Sequence, residues 1–80
     1  MNRIELWQRL NGVFKDVFDD RRLSVNENTT ADDIDDWDSL EHINLLEAVE
    51  QEFKIHFKMK EVSGMKNVGE MARIIEQRGR

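Results

Sequence analysis

The sequence predicts an all-α domain with three long helices and one short helix, and three observations lead to this prediction. Apolar residues recur at three- and four-residue steps in three separate segments, as they do along one face of a helix. The 80 residues include no Pro and only four Gly, so few residues interrupt a helix. A chain of this length forms one domain with one core, which we place at residues 1–80.

The first helix is predicted from the N-terminus to about Asp19. Asn2 and Glu5 are spaced like a helix cap and its reciprocal partner. The apolar residues that follow share one helical face: Ile4, Trp7, Leu10, Val13, Phe14, Val17 and Phe18. We assign Trp7 and the Phe residues of this face to the core.

A long loop is predicted between the first and second helices, from about residue 20 to residue 37. This segment has no sustained period and is rich in Asn, Thr and Asp, which favour turns and caps. Loops of this length in compact domains are usually functional or disordered. Because Leu23, Val25 and Ile34 can anchor it to the core, we expect an ordered loop.

The second helix has the clearest sequence signal. Asp38 fits as its N-cap, and Glu41 three residues later completes a predicted capping box. Its apolar stripe contains Leu40, Ile43, Leu46, Val49 and Phe53, and Leu45 and Ala48 widen it. Its polar face carries His42, Asn44, Glu47, Glu50 and Gln51.

Two further helices complete the prediction. A short one spans about Met59 to Ser63 and ends near Gly64. The last helix starts at Asn67, which precedes Glu70 by three residues in another capping-box arrangement. Its apolar face is Val68, Met71, Ala72, Ile74 and Ile75, and Arg78 and Arg80 suit the negative end of its dipole.

The charge distribution restricts the partners of this chain. The net charge is −5, and residues 23–53 contain ten acids with no Lys or Arg. This balance argues against binding to duplex DNA or insertion into an anionic membrane, since both need a basic face. The acidic segment is either a surface that attracts a basic partner or a solvated face. With neither a secretory signal nor a membrane span in the sequence, we expect a cytoplasmic protein.

Catalytic and metal sites are not predicted. The chain has no Cys and two His, so it lacks a thiol nucleophile and a thiolate metal site. Ser39 and His42 share a helix face, but no oxyanion site or third orienting group accompanies them. The acidic run from Asp32 to Asp38 fails the calcium-loop spacing, because Asp38 stands where that loop requires Gly.

Ser39 is the residue with the most distinctive position. It stands at the start of a strong helix, between an acid and a large apolar residue. Backbone N–H groups and the helix dipole at this end would favour a phosphate attached to its hydroxyl. The alternative is that this segment has only a structural role, because Asp-Ser-Leu-Glu is also a plain capping box at the start of a helix.

The segment Trp37-Asp38-Ser39-Leu40-Glu41-His42-Ile43-Asn44-Leu45-Leu46-Glu47-Ala48-Val49-Glu50 resembles the acyl carrier protein family. The likeness extends through Glu52-Phe53 and Asn67-Val68 and covers essentially the whole chain. It implies a four-helix bundle, monomeric and not an enzyme, whose Ser39 is esterified by 4′-phosphopantetheine. The donor would be coenzyme A and the catalyst a separate Mg²⁺-dependent phosphopantetheinyl transferase. The thiol of the arm would hold an acyl group as a thioester.

The resemblance also implies roles for other residues. Asp38 would present Ser39, and Leu40 would dock in an apolar pocket of the transferase, although its spacing equally fits the core. An acidic face would meet basic patches on acyl-loading and acyl-using enzymes, unless it is only solvated and Glu50 pairs with Lys54. That face comprises Glu41, Glu47 and Glu50. An acyl pocket would be lined by Ile43, Leu46, Val49, Val62 and Met71, which are core residues first.

Some residues depart from the pattern of fatty-acid carriers. Those carriers are usually acidic around the short helix, where this chain has Lys54, Lys58, Lys60 and Lys66; His42 and Asn44 also reduce the acidity of the second helix. These departures indicate a specialised pathway rather than housekeeping fatty-acid synthesis. Two alternatives stay open: a peptidyl or aminoacyl carrier, which usually has Gly where Asp38 stands, and an unmodified interaction module that uses its acidic face.

Overall fold

The computed structural model describes residues 2–78, and within them the chain forms four α-helices. They are α1 (Arg3–Val17), α2 (Ser39–Phe53), α3 (Met59–Gly64) and α4 (Val68–Arg78), and a 3₁₀ turn at Ala31–Asp33 lies between α1 and α2. The prediction of three long helices, one short helix and a long first loop is confirmed. Over these residues the structure contains no helix with the length and apolar character needed to cross a membrane.

The predicted caps form at the start of the three long helices. The side-chain oxygens of Asn2, Asp38 and Asn67 each accept the backbone N–H three residues later, at 2.7, 2.8 and 2.9 Å. The reciprocal half of the box predicted for α2 does not form. The N–H of Asp38 already donates to the carbonyl of Asp36 at 3.0 Å, and the Glu41 carboxylate accepts from the Asn44 amide instead. Arg80, predicted at the end of α4, lies outside the described residues.

A single core joins α1, α2 and α4, and α1 packs chiefly against α2. The most deeply buried side chains come from all three helices: Leu6, Leu10, Phe14, Leu45, Val49, Val68, Met71 and Ile75. The helical periodicity of the sequence therefore does locate the core.

Three residues that fit the apolar stripes of the helices are exposed instead. Ile4 is 73%, Leu40 65% and Ile43 56% exposed, so the assignment of Ile43 to the core is wrong. The reason is helical register. The buried row of α2 centres on Leu45 and Val49, and a residue two positions before Leu45 lies about 200° around the helix axis.

The long loop is ordered because both neighbouring helices bind its backbone. The Asn11 side chain of α1 accepts the N–H of Val25 at 2.7 Å and donates to the carbonyl of the same residue at 3.3 Å. At the start of α4, the N–H of Val68 donates to the carbonyl of Thr29, and the N–H of Gly69 to that of Glu27. Val25 and Ile34 are buried and Leu23 is half-buried, as predicted.

The close contact at Gly69 leads to a stability prediction. A Cβ added there would lie 2.7 Å from the backbone oxygen of Glu27 and 3.1 Å from its Cα, so Gly69→Ala would push the loop away from α4. We expect a loss of about 1–3 kcal/mol in the free energy of unfolding, measured by urea denaturation. Gly12→Ala is the matched control, since a Cβ at this mid-helix position meets nothing within 4 Å. It should stabilise by about 0.5–1 kcal/mol, and a loss of similar size in both variants would contradict the explanation.

Polar contacts hold α3 between α2 and α4. Just before α3, the N–H of Phe57 donates to the Glu50 carboxylate of α2 at 2.8 Å. Arg78 of α4 donates to the Glu61 carboxylate and, at 2.7 Å, to the carbonyl of His56. Among the described residues the alternative Glu50–Lys54 pair does not form. Lys54 instead ends α2 in a left-handed conformation with a φ of 56°.

Glu61 should make α3 sensitive to acid. Its carboxylate accepts the backbone N–H of Lys58 at 2.8 Å, and this hydrogen bond, followed by the contact with Arg78, lowers the pKa of Glu61 against the opposing effect of burial. The stabilisation is therefore present above the pKa of an unfolded Glu and is lost as pH falls through the lowered pKa. We expect the Lys58 amide resonance to titrate below the ordinary Glu range in an NMR pH series. Glu61→Gln should remove that titration, and a midpoint at or above the ordinary range would contradict it.

Candidate functional site

The start of α2 presents Ser39 to solvent. Ser39 is the first residue of the helix and is exposed, and the cap residue Asp38 precedes it. Asp38 engages the N–H groups of Glu41 and His42, through its side chain and its carbonyl respectively. Across residues 2–78 the structure gives no hydrogen-bond acceptor for the backbone N–H of Ser39 or Leu40. These two donors and the positive end of the helix dipole can therefore stabilise an anion bonded to Ser39.

Leu40 lies beside Ser39 and points away from the core. Its exposed fraction of 65% decides between the two positions that its spacing allowed. Ile43, one turn further on, is also exposed. The first turns of α2 thus combine a hydroxyl with two apolar side chains that are accessible to another protein.

Trp37 fixes the segment that enters α2. Its indole N–H donates to Nδ1 of His42 at 3.0 Å, and the two rings stack with centroids 5.8 Å apart. It also contacts Phe14 edge-on at 5.5 Å and Phe18 at 6.0 Å. Trp37 therefore links α1 to the first turn of α2 and holds Asp38 and Ser39 in place. The sequence did not predict the hydrogen bond between Trp37 and His42.

A cavity of about 70 Å³ lies behind this segment. It is lined by Ala31, Trp37, His42, Met65, Lys66, Asn67 and Met71. Its volume corresponds to about two water molecules of liquid, so an acyl chain could enter only by displacing side chains. The cavity lies between the start of α2 and the α3–α4 connection.

The five residues predicted for an acyl pocket lie in four different environments. Leu46 and Val49 are packed in the core, and Val62 is half-buried against it. Met71 alone of the five lines the small cavity, and Ile43 is exposed. The helical spacing that suggested them did not separate these environments.

The three predicted partner-binding acids also differ. Glu47 is exposed, whereas Glu41 is half-buried and bonded to Asn44. Glu50 holds the backbone of Phe57. Within residues 2–78 no group of His, Asp or Glu side chains has the arrangement of a metal site. The exposed groups of α2 described above are therefore the Ser39 hydroxyl, the apolar side chains of Leu40 and Ile43, and the Glu47 carboxylate.

These features define a small helical domain that presents one serine at a helix N-terminus. The chain is similar to the solution structure of holo acyl carrier protein from Geobacter metallireducens, with 39% identity and a TM-score of 0.84 over 89% of this chain and 82% of that chain. No family model and no curated protein matches it. The similarity nevertheless shows that the chain belongs to the acyl carrier protein family, as its sequence indicated. It is therefore a carrier and not an enzyme.

Proposed function

We propose that Ser39 is esterified by 4′-phosphopantetheine and that the protein carries an acyl intermediate on this arm to the enzymes of a specialised pathway. The observation that carries this proposal is the exposed Ser39 hydroxyl at the first position of α2, beside two backbone N–H donors. The similar solved chain is a holo acyl carrier protein, which supports a prosthetic arm here as well.

The residues around Ser39 fit such a group. The phosphate would meet the N–H groups of Ser39 and Leu40 at the positive end of the helix dipole. Asp38, the acid that precedes Ser39 in sequence, accepts the N–H of Glu41, and this bond reduces its repulsion of a phosphate. When bound, the arm would supply the terminal thiol that this Cys-free chain lacks.

The partners follow from the exposed chemistry. Leu40 offers an apolar contact to a phosphopantetheinyl transferase, which would use coenzyme A and Mg²⁺ in the cytoplasm. Glu47, with Glu41, offers acidic contacts to acyl-loading and acyl-using enzymes that carry basic patches. The lysines around α3 favour a specialised pathway, since they change the charge of a surface that is usually acidic in fatty-acid carriers.

The test is the intact mass of the protein after incubation with coenzyme A, Mg²⁺ and a broad-specificity phosphopantetheinyl transferase. We expect a gain of one phosphopantetheine, which fragment mass spectrometry should locate on the peptide that contains Ser39. A folded protein that gains nothing, even with the transferase of its own organism, would overturn the proposal. The chain would then be an unmodified interaction module.

A further inference from the structure

We infer that the exposed segment Lys58–Lys60, where the chain enters α3, is a docking surface for a partner protein whose own surface presents carboxylates around an apolar pocket. We define this α3 surface as Lys58, Met59 and Lys60. The inference rests on the proposed carrier function, because it names the chemistry of the partners that the carrier meets. It differs from the acidic contacts of α2 in the sign of the charge required of the partner.

The α3 surface carries an excess of positive charge, although the Glu61 carboxylate attracts Lys58. Lys58 and Lys60 are exposed, and within residues 2–78 neither forms an ion pair. The single acid of α3, Glu61, is turned toward α4, where its side chain is 20% exposed and pairs with Arg78. The chain as a whole has a net charge of −5, so this local excess of positive charge opposes the overall sign.

Met59 gives the same surface an apolar contact. It is 85% exposed, the highest value among the large hydrophobic side chains of the described residues, and it lies between the two lysines in sequence. Methionine is flexible and adapts to pockets of different shape. An apolar pocket bordered by carboxylates would bury Met59 and neutralise both ammonium groups, whereas a basic surface would be repelled.

The helix α3 runs from the C-terminal half of α2 toward the segment that holds Ser39. One end of α3 follows Phe57, whose N–H is bonded to Glu50 of α2. The other end leads into Met65 and Lys66, which line the small cavity together with Trp37 and His42. Trp37 and His42 flank Asp38 and Ser39 in the chain, so the C-terminal end of α3 leads toward the attachment site, and the α3 surface lies at the other end of this short helix.

The loop before Ser39 and the α3 surface therefore attract partner groups of opposite charge. Asp32, Asp35 and Asp36 are exposed on the loop that leads to Ser39, and Lys58 and Lys60 are exposed on α3. A partner that is uniformly basic gains attraction from the loop and repulsion from α3. A partner whose carboxylates face α3 is also attracted to the loop only if its basic groups face the loop. This requirement fixes the orientation in which the partner binds.

The experiment uses ¹⁵N-labelled full-length protein and two short, end-blocked helical peptides. Both peptides have Leu on one face, and the other face carries Glu in one peptide and Lys in its counterpart. We expect the Glu peptide to shift the amide resonances of residues 58–64 and its affinity to fall at high salt. Lys58→Glu/Lys60→Glu should weaken its binding by about threefold to tenfold and strengthen that of the Lys peptide.

The matched control is Arg21→Glu/Arg22→Glu, which changes the net charge equally at two exposed residues of the turn after α1. It should leave the shifts at α3 in place. The inference is overturned if the Glu peptide does not shift the amide resonances of residues 58–64, or if both double variants weaken the binding of this peptide equally. It is also overturned if those resonances shift with protein concentration alone, which would assign the surface to a second copy of the chain. Intact-mass analysis of the same samples with the transferase keeps this test separate from that of the carrier function, since modification needs Ser39 and not the peptides.

Discussion

Ser39→Ala is expected to abolish attachment of phosphopantetheine completely while leaving the fold intact. The hydroxyl oxygen of Ser39 is the atom that would be esterified, and no neighbouring side chain can replace it at the start of α2. The cap of this helix is provided by Asp38, whose carboxylate accepts the N–H of Glu41. The free energy of unfolding should therefore change by no more than about 0.5 kcal/mol. Intact mass and urea denaturation measure the two effects.

Two further variants, Asp38→Ala and Ser63→Ala, distinguish the attachment of phosphopantetheine from the capping of α2. Asp38→Ala removes the cap and keeps the hydroxyl, so it should cost about 1 kcal/mol of stability without preventing modification. Ser63→Ala removes another exposed serine hydroxyl, in α3, and should still gain one phosphopantetheine. Full modification of Ser39→Ala would place the arm elsewhere and would contradict the assignment of the site.

Phe14→Ala is expected to cause the largest loss of stability. Phe14 is fully buried, and its ring packs against those of Phe18 and Trp37 at 6.0 and 5.5 Å. Truncating a buried Phe costs about 3–5 kcal/mol in most cores, because transfer energy is lost and a cavity remains. In a domain this small, such a loss would leave a large unfolded fraction. Urea denaturation followed by circular dichroism measures it.

The same variant should also disturb the start of α2. Phe14 supports Trp37, and Trp37 holds His42 and the entry to Ser39. In whatever fraction remains folded, we expect Trp37 to become more accessible to a fluorescence quencher, read in a Trp7→Phe background. Ile4→Ala is the control, since Ile4 is 73% exposed on the same helix and should change stability by less than about 0.5 kcal/mol. Equal losses in the two variants would contradict the assignment of Phe14 to the core.

Sequence alone predicted most of the secondary structure because its signals are local. Asn2, Asp38 and Asn67 are short polar residues at the start of periodic apolar segments, and each one caps its helix. The loop was expected to be ordered from three apolar residues in a polar segment, and the core accepts all three. Ser39 was identified from its neighbours in sequence, since the chemistry of a helix N-terminus needs no distant residue.

Which residues face the core was decided by the tertiary structure. Ile43 fits the apolar stripe of α2 by spacing, yet the helical register that buries Leu45 and Val49 leaves Ile43 exposed. The spacing of Leu40 fitted both a core and a surface position. The same register turns its side chain to the surface, where it can contact a partner. Spacing gives the width of an apolar stripe but not which edge of it the neighbouring helices cover.

The sequence also did not predict the contacts between residues that are far apart in the chain. Glu61 pairs with Arg78 across 17 positions, and Asn11 holds Val25 across 14. Nothing local distinguishes these polar residues from solvated ones, because their partners become neighbours only when α4 and the loop pack on α1 and α2. The sequence therefore determined the helices, their caps and the serine. The packing of the helices determined which acids are available to a partner. It also brings Arg78 to Glu61, and within residues 2–78 Lys58 and Lys60 form no ion pair.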